Sequence, residues 1–180
     1  MLNSLHSHRT LPIASLLVAA IMTGCTSGAA VKNADSDSAA ALMQMFGSLK
    51  TAWNNHDAAG VASHFAPDGT YSSPASGGPI SGPAIAGFTG GLFAAIPDFH
   101  IQVLSAYPVD NTTIAERWVV TGTWTQPFPG GPLMGTPPTG KSFILPGASY
   151  LVVANGKISS DTGYFDQMSF LGQLGLLDKK

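Results

Sequence analysis

Acidic side chains are few in this chain, and two of them fall in a stretch whose other residues are almost all apolar, small or hydroxylated: residues 157–176 read KISSDTGYFDQMSFLGQLGL. A carboxylate in an apolar cavity loses hydration, its pKa rises, and it becomes able to take a proton from a weak carbon acid near neutral pH. If Ile158 faces the core of a half-buried sheet, period-two geometry sends Ser160, Thr162, Tyr164 and Asp166 to the same side. Asp166 is then expected to point inward as a base, with Tyr164 as an oxyanion donor. A second role stays open for the same residue. Asp is a strong N-cap, and Asp166 can end the strand by accepting free backbone N–H groups of a helix over 167–174. Asp161 lies on the opposite strand face unless a bulge at Gly163 changes the register, and it is the second candidate base. His56 and His64 are too loosely placed for a metal site, with no HxH or HxxxE pair beside them, and no metal is expected.

The elements that must position these groups come from a chain of 180 residues, 44% hydrophobic and only 10% charged. That length and composition can bury one substantial core and are too small for two ordinary domains. Eight Lys plus Arg stand against ten Asp plus Glu, leaving no basic stripe to neutralise phosphates. Nucleic acid is therefore not an expected partner.

The first residues, MLNSLHSHRTLPIASLLVAAIMTGC, set one Arg and two His ahead of an apolar run over 11–22, followed by small residues. This is the pattern of a secretory signal over 1–24, with a run too short to span a membrane comfortably. Its end, Met22-Thr23-Gly24-Cys25, resembles the lipobox of bacterial lipoproteins, although Met22 replaces the more usual Leu. That resemblance implies cleavage before Cys25 and acylation of it, and hence a chain anchored to a membrane of the bacterial envelope. Cys25 is the only cysteine, so no intramolecular disulfide can form. Residues 25–38 are small and polar and read as a tether, ahead of a folded domain over 39–178.

Within that domain, Leu42, Met45, Phe46, Leu49 and Trp53 recur at helical spacing. A short second helix follows, with Asp57 as N-cap and Val61, Ala62 and Phe65 as its buried side, closed by a turn at 67–69. Residues 70–73 read as a short strand, 74–83 as a Gly/Pro loop, and Ser81 starts a helix with Pro83 in its first turn. Strands are expected over 99–107, 114–125, 142–154 and 157–166, the last two joined by an Asn155-Gly156 hairpin turn. Glu116, Trp118, Val120 and Trp124 share one face of the second. The Pro/Gly-rich residues 126–140 form a pocket rim or a wide hairpin connection. Helices followed by hairpin-linked strands give an α+β architecture, a curved antiparallel sheet covered by helices around an apolar cavity.

Several motifs in order carry a family resemblance over about residues 41–177. They are Trp53-Asn54-Asn55-His56-Asp57, Ile96-Pro97-Asp98-Phe99, the run from Arg117 through Trp124, Pro137-Pro138-Thr139-Gly140-Lys141, and Asn155-Gly156-Lys157-Ile158. Tyr164-Phe165-Asp166 followed by Phe170-Leu171-Gly172-Gln173-Leu174-Gly175 completes them. Together they resemble the SnoaL-like polyketide cyclases of the NTF2-like, ketosteroid-isomerase-like superfamily. The resemblance implies an NTF2-like cone and a cofactor-free enzyme whose pocket carboxylate abstracts a proton α to a carbonyl, the enolate then closing a ring by aldol attack. The Asp ahead of the C-terminal helix is the position matched to the family's acid/base, here Asp166. Two departures stand out: Trp124 occupies the place of a frequent His, and residues 159–163 lack the acidic-then-aromatic pattern common in relatives.

Three readings of function follow. In the first the chain is a small cyclase or isomerase, with Trp53, Tyr71, Trp118, Trp124 and Phe128 as cavity walls and His100 as a further polar candidate. In the second it is a non-catalytic envelope lipoprotein that holds an apolar small molecule. In the third it is an interaction module that pairs with a second copy through its sheet, as a homodimer. Fold alone does not choose among them.

Overall fold

A computed structural model describes residues 35–128 and 130–177; the signal segment, Cys25 and the tether up to residue 34 lie outside the described residues. Asp35 opens the fold as an N-cap, its carboxylate accepting the Ser38 N–H at 3.0 Å. Helix α1, Ser36–Asn54, therefore starts ahead of the expected residue 39 and buries Leu42, Phe46, Leu49 and Trp53 along one stripe. The chain reverses at His56, whose φ is 55°. Helix α2, Ala58–Ser63, begins under the expected cap, Asp57, which accepts the Gly60 N–H at 2.8 Å.

Strand β1 spans Phe65–Ser72 and is longer than its pattern suggests. Residues 67–69, expected as a turn, are absorbed as an irregularity in its pairing with β6. A two-residue strand β2, Ile80–Ser81, precedes α3, Pro83–Ala95, which has Pro in its first turn where the missing N–H costs nothing. Strands β3 (His100–Pro108), β4 (Thr113–Thr123), β5 (Ser142–Ala154) and β6 (Lys157–Phe165) form the meander, and helix α4, Gln167–Gln173, closes the described chain. Asn155 and Gly156 both have positive φ, as the two-residue turn between β5 and β6 requires.

The six strands make one curved sheet in the order β2-β1-β6-β5-β4-β3. Its pairs are antiparallel except at the β1–β6 seam, which is parallel because β1 enters from the helical half and docks beside the last strand. Along β4, Ile114, Glu116, Trp118, Val120 and Gly122 are all buried, as is Trp124 just past its end, as the alternation predicts. Trp53, Phe93 and Phe99 meet edge-on or tilted at 5.6–5.7 Å between ring centres, sealing helices α1 and α3 to the sheet. This is the α+β, NTF2-like cone that the order of elements implies, with its core on the concave face.

Candidate functional site

The concave face holds a partly open cavity of about 80 Å³, room for several waters. Its walls are Trp53, Phe88, Leu92, Ile96, Phe99, Trp118, Phe143, Leu145, Phe165 and Phe170, and its polar groups are Lys50, Tyr71, Ser73, Ser149 and Asp161. The cavity borders a crevice lined by Phe88, Leu92, Phe128, Leu133, Phe170 and Leu171, so the Pro/Gly-rich segment after β4 forms a rim.

Which carboxylate reaches this cavity is decided by one residue of β6. Val153 pairs with Ile158 and Val152 with Ser160, leaving Ser159 as an extra, unpaired residue. The bulge resets the alternation. Ile158 faces inward, then Asp161 opposite Leu151, then Gly163 opposite Ser149, whereas Tyr164 turns outward. The expectation that Asp166 and Tyr164 share the inner face with Ile158 thus fails by one residue of register, and the shift sits at Ser159 instead of Gly163. Asp166 is exposed and caps α4, accepting the Ser169 N–H at 3.0 Å. Tyr164 is 57% exposed on the outer face.

Asp161 is only 4% exposed, and its Oδ1 has no hydrogen-bond partner among the described residues. Burial pushes its carboxyl up to about 7; the Lys50 ammonium opposes this and the Glu116 carboxylate reinforces it. Tyr71, its neighbour across the parallel seam, is also shifted upward, by burial first and then by the charge of Asp161, so its hydroxyl stays an O–H donor at neutral pH. Ser149 accepts the Trp118 indole N–H at 2.8 Å, which leaves the Ser149 hydroxyl proton free to donate. Trp118 reaches Ser149 because it lies flat over Gly147, where any Cβ would stand 2.2 Å from the ring. Beneath the cavity, Lys50 from α1 donates to Glu116 of β4 at 2.6 Å.

Trp53, Tyr71 and Trp118 line the cavity as expected, and Phe128 lines the adjoining crevice. Trp124 does not reach the cavity. It is fully buried, stacks on Phe128 at 5.3 Å and donates its indole N–H to the Gln126 carbonyl at 2.7 Å, so it anchors the rim. His100 is exposed at the start of β3, away from the site. The sequence reading missed Lys50, Ser73 and Ser149 as site residues, and gave Glu116 a face without a role. A signal existed for the ion pair: Lys50 is the only basic residue of α1 and adjoins its apolar stripe, while Glu116 is a charge on an otherwise apolar strand face, and such charges need partners.

The fold has relatives among solved structures. AclR from Streptomyces galilaeus, a candidate hydroxylase, is 25% identical with a TM-score of 0.64, covering 78% of this chain and 88% of its own. A protein of ketosteroid-isomerase-like fold from Catenulispora acidiphila, solved with trimethylamine, is 26% identical with a TM-score of 0.61, covering 74% of this chain and 94% of its own. IdmH from Streptomyces antibioticus, a candidate polyketide cyclase, is 26% identical with a TM-score of 0.60, covering 74% of this chain and 97% of its own. Among curated proteins none matches this chain. The SnoaL-like polyketide cyclase model matches residues 43–174, a span that holds the cone, the cavity and the buried carboxylate alike; the chain belongs to that family.

Proposed function

We propose that the chain is a small-molecule enzyme in which Asp161 removes a proton α to a carbonyl of an apolar substrate and the resulting enolate rearranges or closes a ring. The observation that carries this reading is the Asp161 carboxylate, buried at the cavity floor with one oxygen unpartnered and its pKa near neutrality. A base of that strength is matched to a carbon acid at working pH. The step balances on side chains alone. The Cα–H electron pair moves into the enolate, the proton passes to Asp161, and the enolate oxygen takes hydrogen bonds from donors such as the Tyr71 hydroxyl and the Lys50 ammonium. In cyclisation the enolate carbon attacks a second carbonyl, forming a C–C bond, and Asp161 returns its proton to the new alkoxide. The aromatic and aliphatic walls hold the apolar remainder of the substrate, leaving the carbonyl end at the polar floor.

The test follows α-proton exchange of an apolar 1,3-diketone into deuterated water, catalysed by the folded domain. Wild type is expected to exchange the label with a rate that falls as pH drops below about 7, and Asp161→Asn to lose roughly a hundredfold or more. Equal rates for the two proteins overturn the assignment. Quenching of Trp53 and Trp118 by such ligands without any exchange in wild type would instead identify a non-catalytic binding protein. The lipobox-like residues 22–25 add a location to the proposal: acylated Cys25 tethers the domain to the bacterial envelope.

A further inference from the structure

The Lys50–Glu116 pair is costly to keep. Glu116 is 3% exposed, its Oε2 has no partner among the described residues, and its Oε1 is held by Lys50 alone. A buried ion pair is often no more stabilising than apolar residues of the same volume, so its retention beneath a cavity asks for another reason. Its surroundings suggest one. Lys50 lines the cavity beside Asp161, with its ammonium also 5.0 Å from the Phe46 ring centre, whereas Glu116 does not line it.

The charged groups that act on Asp161 are Lys50 on α1 and Glu116 on β4; Tyr71 on β1, its neighbour in the sheet, is the titratable group that feels the charge of Asp161 in turn. Alone, an ammonium in that position would hold Asp161 ionised and weakly basic. Paired with Glu116, it carries little net charge toward Asp161 while keeping N–H groups to offer a ligand. We propose that Glu116 is a positioning residue for Asp161: by holding and neutralising Lys50 at the cavity floor, it keeps Asp161 a base strong enough to deprotonate a carbon acid. The inference rests on the reading of Asp161 as the base. It adds that the basicity is set from outside the cavity, by a residue that touches no substrate.

The test is an NMR titration of the carboxyl carbons in aspartate-labelled protein, with the Asp161 signal identified by its loss in Asp161→Asn. Glu116→Gln, which keeps an oxygen to accept from Lys50, is expected to lower the Asp161 midpoint by roughly one to three pH units. Lys50→Met is expected to raise it. The double variant Lys50→Met/Glu116→Leu replaces the pair with apolar volume and should return the midpoint close to that of wild type, which keeps the test available if a single variant fails to fold. A shift in the double variant as large as the one expected for Glu116→Gln, or single-variant midpoints equal to wild type, overturns the role of Glu116 while leaving Asp161 as base intact. A wild-type midpoint in the ordinary carboxylate range, near 4, overturns the reading of Asp161 itself.

Discussion

Two aspartates five positions apart on one short segment do opposite work because of where their side chains lie. Asp161 is buried and faces the cavity; Asp166 is exposed and ends a strand. Replacing Asp166 with Ala should cost about 1 kcal/mol of stability through loss of the α4 cap, measured by urea unfolding, and leave proton exchange close to wild type. Asp161→Asn should do the reverse, and its effect on stability has a defined sign. The folded-state pKa of Asp161 is raised from 3.8 to about 7, so its favourable contribution is complete below pH ~4 and is lost as pH rises through about 7. The Asn variant lacks that loss. Its stability relative to wild type should therefore grow between about pH 4 and pH 7, by on the order of a few kcal/mol. Unfolding curves that run parallel for the two proteins across this range would contradict the burial of an ionisable group at this position.

At the scale of elements, the site depends on two local departures from regular strand structure. The unpaired Ser159 on β6 moves Asp161 onto the inner face, and Gly147 on β5 lets Trp118 lie across the sheet and reach Ser149. A Cβ at Gly147 cannot coexist with the present ring position, because the ring carbons it would meet are 2.2–2.6 Å away. Gly147→Ala should consequently displace Trp118 and break its bond to Ser149, with a stability loss of about 1–3 kcal/mol. The same displacement should weaken ligand quenching of Trp118 fluorescence, and unchanged quenching would show that the indole does not form the cavity wall. The Pro/Gly-rich rim is tied to the body at Trp124, which is fully buried and stacks on Phe128.

For the molecule as a whole, the fold divides labour between a helix and a sheet that are far apart in the chain. Lys50 comes from α1 and Glu116 from β4, and their contact at 2.6 Å closes the cavity floor only when the helix lies on the concave face. The proposed envelope anchor belongs to this scale too. Expressed in a bacterium, the full chain should partition into the detergent phase, whereas Cys25→Ser should leave it in the aqueous phase. Aqueous partition of the unaltered chain would remove the anchor from the proposal without touching the chemistry of the cavity.

Much of the architecture is legible in the sequence. The helical spacing of Leu42, Phe46, Leu49 and Trp53, the Asp57 cap, the Asn155-Gly156 turn and the alternation of β4 are local signals, and local geometry obeyed them. The motif order led to the family that the whole-domain comparison supports. The site was less legible because it turns on non-local facts. Period-two reasoning fails at a bulge, and nothing in the sequence KISSD marks Ser159, rather than Gly163, as the residue left without a partner. The parallel seam that sets Tyr71 beside Asp161 joins strands from opposite ends of the domain, and the Lys50–Glu116 pair crosses 66 positions of sequence. Residue types and their periods determined which elements form and which faces are apolar; register and helix docking, both tertiary, decided which carboxylate loses its water and faces the cavity.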